Sequence, residues 1–400
     1  MKKLVLGLAI LATTFTGCSS DDDGDTTRVP ATGDITGDIT SNIVYGYGNY
    51  TLKGIVKIQS GVTVTFEAGS TITADKANGD DALVVLNGGK LIAAGTASEP
   101  IVFTEASKVP GSWAGIIMYG DAPIVNSASA PAPQTAASED GLTLTYGGSN
   151  SAHNGGTLKY VRVEYAGQVI TQNNKEHNGF SFYSVGSGTT LENLVSYMGN
   201  DDGFEFYGGT VSAKNLISYG NKDDSFDWQD GWRGQANTNW YAYQTGTANY
   251  GIEVEAKSVN NAFWPIINGI TLKRAAGTVT EAQSEVQLDA FQFKKEGNGE
   301  YNNIIIDGFK NQTSPTAKNG GAIQILDLAT YNNQVAAGKI KLTNVKITNT
   351  DNDFISGAGT FTMSASSFNP TANWTTSTTA TGATLTTGAW CTVNGVNLFQ

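Results

Sequence analysis

The sequence predicts an all-β protein, a right-handed parallel β-helix with several loop insertions. Three observations predict this fold: an internal repeat of about 22 to 24 residues, short strands with alternating polarity, and a high content of glycine, 48 of 400 residues. Charged residues make up only 15% of the chain, glycine is abundant and no long segment has a helical pattern, which together exclude a coiled coil or a helical bundle. The 40% of apolar residues is enough to build a core, so the chain is not disordered.

The repeat is recognised by two patterns. The first is an Asn or Asp, a small residue and two aromatic residues separated by one residue; its copies begin at Asn178, Asp202, Asp224 and Asp289. The second is an asparagine followed by apolar residues; its copies begin at Asn193, Asn215, Asn303 and Asn344. Strands this short cannot bury a face alone, so we expect them to stack on their counterparts in the next coil, about 4.8 Å away. The right hand follows from the preference of parallel crossovers.

Alternation along the strands assigns their side chains to the inside or the outside of the stack. The first aromatic position of the repeat is occupied by Phe180, Phe204, Phe226 and Phe291. The second is occupied by Phe182, Phe206, Trp228 and Phe293. Both positions are predicted to point inward and to form aromatic ladders along the core.

The N-terminus is predicted to contain the signals that direct the protein to its cellular location. Residues 1–17 have a basic start, an apolar stretch and a small residue before Cys18; they resemble a bacterial lipoprotein signal peptide, which implies lipidation of Cys18. An ordinary secretory signal is the alternative. The Ser and Asp run that follows resembles the surface-export signal of Bacteroidota lipoproteins, which implies the outer face of the outer membrane. A spacer on a periplasmic lipoprotein is the alternative reading.

The domain organisation follows from these segments. Residues 18–42 contain a tandem Gly-Asp-Ile-Thr and are predicted to form a lipid-anchored, acidic and flexible tether. Residues 43–400 are predicted to form a single parallel β-helix domain. With Cys18 lipidated, Cys391 has no intramolecular partner, and we expect it to be a small buried apolar side chain.

Two long segments are predicted to leave the stack, residues 120–156 and residues 231–265. The second carries four aromatic residues, Trp232, Trp240, Tyr241 and Tyr243. Loop insertions carry the binding sites of many solenoids, so these four are candidate ligand-binding residues that would stack on sugar rings. The alternative is that they form a small core of the loop itself.

Charge and motifs narrow the function. The formal net charge of −12 disfavours nucleic acid as a partner. The sequence contains no Gly-x-Ser-x-Gly, no His-Glu-x-x-His and no phosphate-binding glycine loop, and it has only two histidines. We therefore expect a protein that is not an enzyme.

One set of acidic residues has a spacing that suggests metal binding or catalysis. A step of 22 residues places Asp201 beside Asp223, and Glu205 beside Asp227, in adjacent coils. Carboxylates about 5 Å apart are candidate calcium ligands, and the same spacing fits the paired carboxylates of a retaining glycosidase. The alternative is a set of turn-forming aspartates with a solvated charged face. A calcium-dependent lyase would also need a cationic base, for which Lys222 and Arg233 are nearest in sequence.

Several further segments, with sequences such as GGKLIAAGT at 88–96 and YVRVEYAG at 160–167, resemble a family of secreted right-handed β-helix proteins common in Bacteroidota. The resemblance covers about residues 52–308; its matching stretches are 52–54, 61–63, 88–96, 100–104, 113–117, 160–167, 185–190, 201–206 and 227–228. It implies the architecture and the surface location. It carries over no catalytic residue, because the family is defined by its fold.

These observations lead to one expectation and two alternatives. We expect an outer-membrane lipoprotein on the cell surface, anchored in the membrane through its lipid, whose rigid β-helix is a binding or scaffold module for a glycan or a surface protein. The first alternative is a calcium-dependent polysaccharide lyase or glycoside hydrolase that uses the acidic face at 201–230. The second is an accessory subunit of an outer-membrane transporter or secretion complex.

Overall fold

The computed structural model describes residues 28–170, 175–259, 264–280, 288–310, 320–357 and 361–399. The predicted signal peptide and Cys18 lie outside these residues. The described chain is an all-β parallel β-helix, in which 24 strands form one continuous hydrogen-bonded sheet. No helix of the described residues has the length and apolar character needed to cross a membrane.

The strands are short and evenly distributed. The first half of the chain contains β1 (Ala31–Ile39), β2 (Ile43–Tyr45), β3 (Gly48–Ile58), β4 (Thr63–Phe66), β5 (Thr71–Ala74), β6 (Ala82–Val85), β7 (Lys90–Ala94), β8 (Ile101–Glu105), β9 (Ile116–Tyr119), β10 (Ala136–Ala137), β11 (Thr145–Tyr146), β12 (Gly156–Glu164), β13 (Val169–Ile170), β14 (Lys175–Glu176), β15 (Phe180–Tyr183) and β16 (Thr190–Tyr197). The second half contains β17 (Phe204–Tyr207), β18 (Ala213–Tyr219), β19 (Phe226–Gln229), β20 (Asn237–Gln244), β21 (Ile252–Glu255), β22 (Ile266–Arg274), β23 (Phe291–Lys294), β24 (Gly299–Asp307), β25 (Gly321–Ile325), β26 (Ile340–Thr348), β27 (Asn352–Ser356), β28 (Trp374–Thr376), β29 (Thr392–Val393) and β30 (Val396–Asn397). The described residues contain few helical turns: Leu328–Thr330 is α-helical, Tyr331–Val335 is π-helical, and Lys76–Asn78, Ala365–Ser367, Thr371–Asn373 and Ala389–Cys391 are 3₁₀ turns.

From β15 onward, each coil alternates a four- or five-residue strand with a longer, bent one. The short strands stack in the order β6, β9, β15, β17, β19, β21, β23, β25, β27; we call this stack the acidic sheet, for reasons given below. The longer strands stack in the order β12, β16, β18, β20, β22, β24, β26. Parallel pairing in both stacks lines up equivalent side chains from successive coils.

The aromatic ladders of the core are confirmed. Phe180 pairs with Phe204 and Phe204 with Phe226 in the strand register, and all three side chains are fully buried. The ring centroids of Phe204 lie 4.9 Å from Phe180 and 5.6 Å from Phe226, in stacked geometry. Phe291 occupies the same column, but one coil carrying Ile252 separates it from Phe226.

The second repeated pattern marks a bend in the longer strands. Asn193, Asn215, Asn239, Asn303 and Asn344 all have φ between 56° and 59°, the left-handed region that asparagine tolerates better than most residues. Their side chains form a ladder: the amide of Asn239 donates to Asn215 Oδ1 at 3.0 Å, and that of Asn215 to Asn193 Oδ1 at 3.4 Å. Asparagine therefore serves both the backbone turn and the bonding between coils.

We expect Asn215→Ala to lower the free energy of unfolding by about 2–3 kcal/mol, because alanine in the left-handed region costs about 1–2 kcal/mol and a lost hydrogen bond about 1 kcal/mol. Asn215→Gly removes the same hydrogen bonds but tolerates the backbone conformation. It should therefore be less destabilising than alanine by about 1 kcal/mol. Urea unfolding of both variants checks this, and equal losses would show that the bend itself is not strained.

The predicted tether is wrong in part. Residues 31–39 form β1, which pairs in parallel with β3 from Ala31 opposite Gly48 to Ile39 opposite Ile58. The tandem Gly-Asp-Ile-Thr alternates polarity like a strand, and Ile35 is buried against the core. The stack therefore begins before residue 43. Residues 18–27 of the predicted tether lie outside the described residues.

The two predicted insertions have different outcomes. Residues 120–156 do leave the stack between β9 and β12, and they cover the outer face of the acidic sheet, where Ile124 and Tyr146 pack against Tyr119, Tyr183 and Tyr207. Residues 231–265 are not an insertion, because they contain β20 and β21, which belong to the stack. The loop prediction was wrong because three of the four aromatic residues considered in this segment belong to β20, a strand of a regular coil.

The C-terminal segment returns along the outside of the longer strands. In this segment, which we call the C-terminal strap (residues 381–399), the backbone N–H of Ala383 donates to Thr271 Oγ1, that of Thr384 to Asn239 Oδ1 and that of Trp390 to Ala97 O. Cys391, which belongs to the strap, is fully buried, as predicted. The strap thus ties late coils to early ones.

Candidate functional site

The outward side chains of the acidic sheet change character along the stack. One outward column contains, in stack order, Ile117, Ser181, Glu205, Asp227, Glu253, Gln292 and Gln324. The next outward column contains Tyr119, Tyr183, Tyr207 and Gln229, followed by Glu255 and Lys294. The early, apolar part of both columns is covered by residues 120–156. The acidic part begins where that cover ends.

A cavity of about 280 Å³ opens over the acidic part of these columns. We call it the acidic cavity; it is lined by Glu139, Glu205, Asp227, Gln229, Glu253, Glu255, Lys294 and Lys295. Glu139 comes from the covering segment and forms one wall. The other side chains come from β17, β19, β21 and β23 and from the residue after β23, so four successive coils build the cavity.

Glu205 is held by three donors. The amide of Asn178 donates to Glu205 Oε2 at 2.6 Å, the amide of Gln229 donates to Oε1 at 3.1 Å, and the hydroxyl of Tyr207 donates to Oε2. Burial, followed by the charge of Glu139, raises the pKa of Glu205 to about 7, although the three donors act in the opposite direction. This carboxyl group therefore changes its charge near neutral pH.

Asp227 lies at the centre of the carboxylates. Asp227, Asp202 and Glu205 each have a carboxylate oxygen within 4.8 Å of those of the other two residues. The same holds for the group of Asp227, Asp224 and Glu253. The Oδ1 atom of Asp227 is buried and has no hydrogen-bond partner among the described residues. Burial and the charges of Glu253 and Glu205 raise the pKa of Asp227 well above its usual value. An added cation would relieve both the repulsion and the unmet hydrogen-bonding capacity.

Two lysines compensate part of the negative charge. Lys294 forms an ion pair with Glu253, and Lys295 Nζ lies 2.7 Å from Glu255 Oε2. Burial alone would lower the pKa of Lys294, but the charges of Glu253 and Asp227 outweigh it and raise the pKa. Lys294 therefore stays protonated and acts as a counter-ion.

The structure divides the predicted metal ligands into two groups. Glu205 and Asp227 are directly opposite in the register, as predicted. Asp201 and Asp223 form a second group at the preceding turn with Asp202, which also belongs to the group of Glu205 and Asp227. The four predicted residues thus do not form one cluster, because Asp201 and Asp223 precede the strands while Glu205 and Asp227 lie within them.

Three of the four predicted ligand-binding aromatic residues are buried and cannot stack on a sugar. Trp232 and Trp240 are fully buried in the main core, where they stack on Phe206. Tyr241 is fully buried and packs on Phe399 of the C-terminal strap. Tyr243 is half-buried and stacks on Tyr219 of the preceding coil. Strand alternation in β20, rather than a loop, decides where the last three of these side chains point.

Several cavity residues were missed by the sequence analysis. Glu253 and Glu255 belong to a coil whose sequence, Gly-Ile-Glu-Val-Glu, keeps the alternation of the repeat but replaces its aromatic residues by Ile and Val. That alternation was the signal that could have identified them. Glu139 gave no such signal, because it reaches the cavity through the packing of a segment outside the repeat.

Comparison with known proteins agrees with this architecture. A family model described as "Pectate-lyase like beta helix domain" matches residues 37–393. The chain belongs to this family. No curated protein is detectably similar to the chain.

Membership of the pectate-lyase-like β-helix family is compatible with a polysaccharide lyase and with a binding module. The acidic cavity can hold a metal ion by its donor chemistry, because all of its anionic donors are carboxylate oxygens. Two oxygens that bind one calcium ion at 2.3–2.6 Å lie at most about 5 Å apart. The 4.8 Å limit within which the carboxylates gather meets this condition.

Proposed function

We propose that this pectate-lyase-like β-helix is a lipid-anchored protein of the bacterial cell surface that binds an anionic polysaccharide through a calcium ion, without cleaving it. The observation that carries the proposal is the alignment of Glu205, Asp227 and Glu253 on three successive coils, facing an open cavity. A calcium ion held there can complete its coordination with carboxylate oxygens of the polymer. The lipid anchor and the surface location are supported by the resemblance of residues 1–25 to a lipoprotein signal peptide followed by a surface-export signal.

The state of the lysines favours binding over cleavage. A lyase removes a proton from its substrate with a base whose pKa lies near the working pH. In the calcium-free cavity, Glu253 and Asp227 raise the pKa of Lys294, so this lysine holds its proton there. Arg233, one of the two cations considered from the sequence, lines a different groove, and Lys222 donates to Asn200 Oδ1 at 2.6 Å.

Calcium binding is the direct test of the cavity. We expect chelator-treated protein to bind calcium in a calorimetric titration, and Asp227→Asn to weaken the affinity at least tenfold, because Asp227 belongs both to the group with Asp202 and Glu205 and to the group with Asp224 and Glu253. Asp34→Asn is the matched control. It removes the same charge from an exposed site, where Asp34 pairs with Lys53, and should leave the affinity unchanged. Equal affinities of the wild type and Asp227→Asn would contradict the proposed site.

A calcium-dependent lyase is the second candidate, favoured by the presence of Lys294 and Lys295 beside the carboxylates. Calcium at Glu253 would compete with Lys294 for that carboxylate and so bring the pKa of the lysine down. An assay of acidic and neutral polysaccharides, with and without calcium, separates the two functions. Calcium-dependent release of unsaturated ends that disappears in Asp227→Asn would replace the binding proposal by the lyase. Binding without release supports the proposal.

A further inference from the structure

A second concave site lies at the turns that follow strands β15, β17 and β19. It is a groove of about 490 Å³, within the size range of small-molecule pockets. Its lining residues are Pro123, Ser151, Ser187, Thr210, Ser212, Arg233, Gln235 and Ala236. We call it the Arg233 groove. The described residues that line it include no carboxylate, so it differs in chemistry from the acidic cavity.

Arg233 is an arginine without a counter-ion. Arg28 pairs with Glu99 and Arg162 with Glu164, but within the described part of the chain no carboxylate forms an ion pair with Arg233. Its side chain is half-buried, and burial lowers the pKa of the guanidinium group. A cation that is withdrawn from water and left unpaired costs free energy. An anion bound in the groove would remove this cost.

The bonding of Arg233 leaves one end of its guanidinium group for a ligand. The Nε atom donates to Gly231 O at 3.1 Å, and the backbone N–H donates to Gly209 O at 3.1 Å. The two terminal nitrogens have no hydrogen-bond partner among the residues that the structure describes. The side chain is therefore anchored to the backbone of two coils, while the paired donors at its tip remain unused.

Two of the four hydroxyl groups that line the groove are also unused as donors. Ser187 Oγ and Thr210 Oγ1 both donate to Ser151 O, at 3.0 Å and 2.6 Å. Ser212 Oγ accepts from the backbone N–H of Ala236 at 3.0 Å, and the described residues provide no acceptor for its own hydrogen. The exposed hydroxyl of Ser151 forms no hydrogen bond within the described ranges. The hydroxyl groups of Ser151 and Ser212 therefore add two donors to those of Arg233.

We propose that the Arg233 groove binds a terminal phosphate group, such as that of a phosphate monoester. The two terminal nitrogens of Arg233 can pair with two phosphate oxygens, and the third oxygen can accept from the hydroxyl groups of Ser151 and Ser212. A phosphate monoester has three strong acceptor oxygens and a charge of about −1.5 to −2 at neutral pH. A carboxylate has only two oxygens, and the guanidinium group would engage both. The remaining volume of the groove takes the organic part of the ester, beside Pro123 and Ala236.

This phosphate chemistry is shared by three sources of ligand. A soluble ester, the free phosphate ion and the headgroup of a lipid such as phosphatidate all present the same group of oxygens. The proposal is independent of the acidic cavity, because no residue lines both sites. It can therefore be tested on calcium-free protein, and its failure is distinct from the failure of calcium binding.

The test is a calorimetric titration of the chelator-treated protein with glycerol 3-phosphate, with glycerate as its carboxylate counterpart, and with inorganic phosphate. We expect glycerol 3-phosphate to bind about tenfold or more tightly than glycerate, and Arg233→Gln to weaken its binding by about tenfold or more. Arg233→Lys should have an intermediate affinity, because lysine keeps the charge but loses the paired donors. Arg28→Gln is the matched control. It removes an arginine that already pairs with Glu99 and should change nothing.

A second variant and a vesicle assay complete the test. Ser151→Ala removes an exposed hydroxyl that the fold does not use and keeps the backbone carbonyl to which Ser187 and Thr210 donate. It should weaken the binding of glycerol 3-phosphate by about threefold, and thermal unfolding shows whether each variant keeps its fold. Sedimentation with phosphatidylcholine vesicles that contain phosphatidate measures the lipid source. Binding to these vesicles that is lost in Arg233→Gln would support a lipid headgroup as the ligand.

Three results would overturn the phosphate site. The first is the absence of binding to glycerol 3-phosphate, to inorganic phosphate and to the phosphatidate vesicles. The second is binding of glycerol 3-phosphate that neither Arg233→Gln nor Ser151→Ala changes. The third is binding of glycerate as tight as that of glycerol 3-phosphate, since the third phosphate oxygen would then contribute nothing.

Discussion

Replacing Phe204 by alanine is expected to lower the free energy of unfolding by about 3–5 kcal/mol, the usual cost of truncating a buried phenylalanine. The side chain is fully buried and stacks on Phe180 in one neighbouring coil and on Phe226 in the other. A cavity at this position removes contacts from both coils at once. Each coil of a solenoid is stabilised only by its neighbours. No other contacts can therefore compensate for the packing lost at Phe204.

The matched control is Lys214→Ala, in the next strand along the chain. Lys214 is exposed, and surface substitutions of this kind usually change stability by less than about 0.5 kcal/mol. Urea unfolding followed by tryptophan fluorescence measures both variants, because Trp240 lies 4.8 Å from Phe226 in the same core. A loss below about 1 kcal/mol for Phe204→Ala would mean that the aromatic ladder is not a tightly packed core.

The core ladders could be predicted because their sequence signal is local and repeated. Phe180, Phe204 and Phe226 each follow a polar and a small residue, and the spacing fixes which residues stack. The coil of Ile252 escaped prediction because isoleucine fills the aromatic position. An apolar side chain of similar size satisfies the same core, so packing tolerates a substitution that breaks the pattern in the sequence.

The same reasoning explains what could be predicted of the site. Glu205 and Asp227 were paired correctly, because the repeat sets their register. Lys294 approaches Asp227 through a coil 67 residues later in the chain, and its position depends on the length of the segments between them. Glu139 approaches through the packing of residues 120–156. Local periodicity contains no information about either contact.

The second large effect concerns the pH dependence of stability. The pKa of Glu205 is raised from 4.5 to about 7 in the folded protein, so the folded state holds this proton more tightly than the unfolded state. Its contribution to stability is complete below about pH 4.5 and is lost as the pH rises through about 7. A shift of this size corresponds to about 3 kcal/mol. The pKa values of Asp202, Asp224 and Asp227, raised chiefly by burial, act in the same direction.

We therefore expect the calcium-free protein to lose stability between pH 4.5 and pH 8, and Glu205→Gln to lose less by about 3 kcal/mol. Urea unfolding at a series of pH values measures the slope. The slope is the useful quantity, because glutamine also changes the bonds to Asn178 and Tyr207 and so shifts the stability at every pH. Glu99→Gln, at an exposed ion pair, is the control and should keep the wild-type slope.

Calcium should reverse this trend, and the reversal links the energetics of the cavity to its function. Repulsion between neighbouring carboxylates makes their ionisation unfavourable. A bound cation removes this repulsion and makes the ionisation favourable. At pH 8, calcium at 100 times its dissociation constant should stabilise the wild type by about 2.7 kcal/mol, and Asp227→Asn by much less. If calcium stabilises both proteins equally, the ion binds elsewhere. The repulsion among the carboxylates of the cavity would then not be explained by calcium binding. The proposed calcium-mediated contact with the polysaccharide would have to be abandoned.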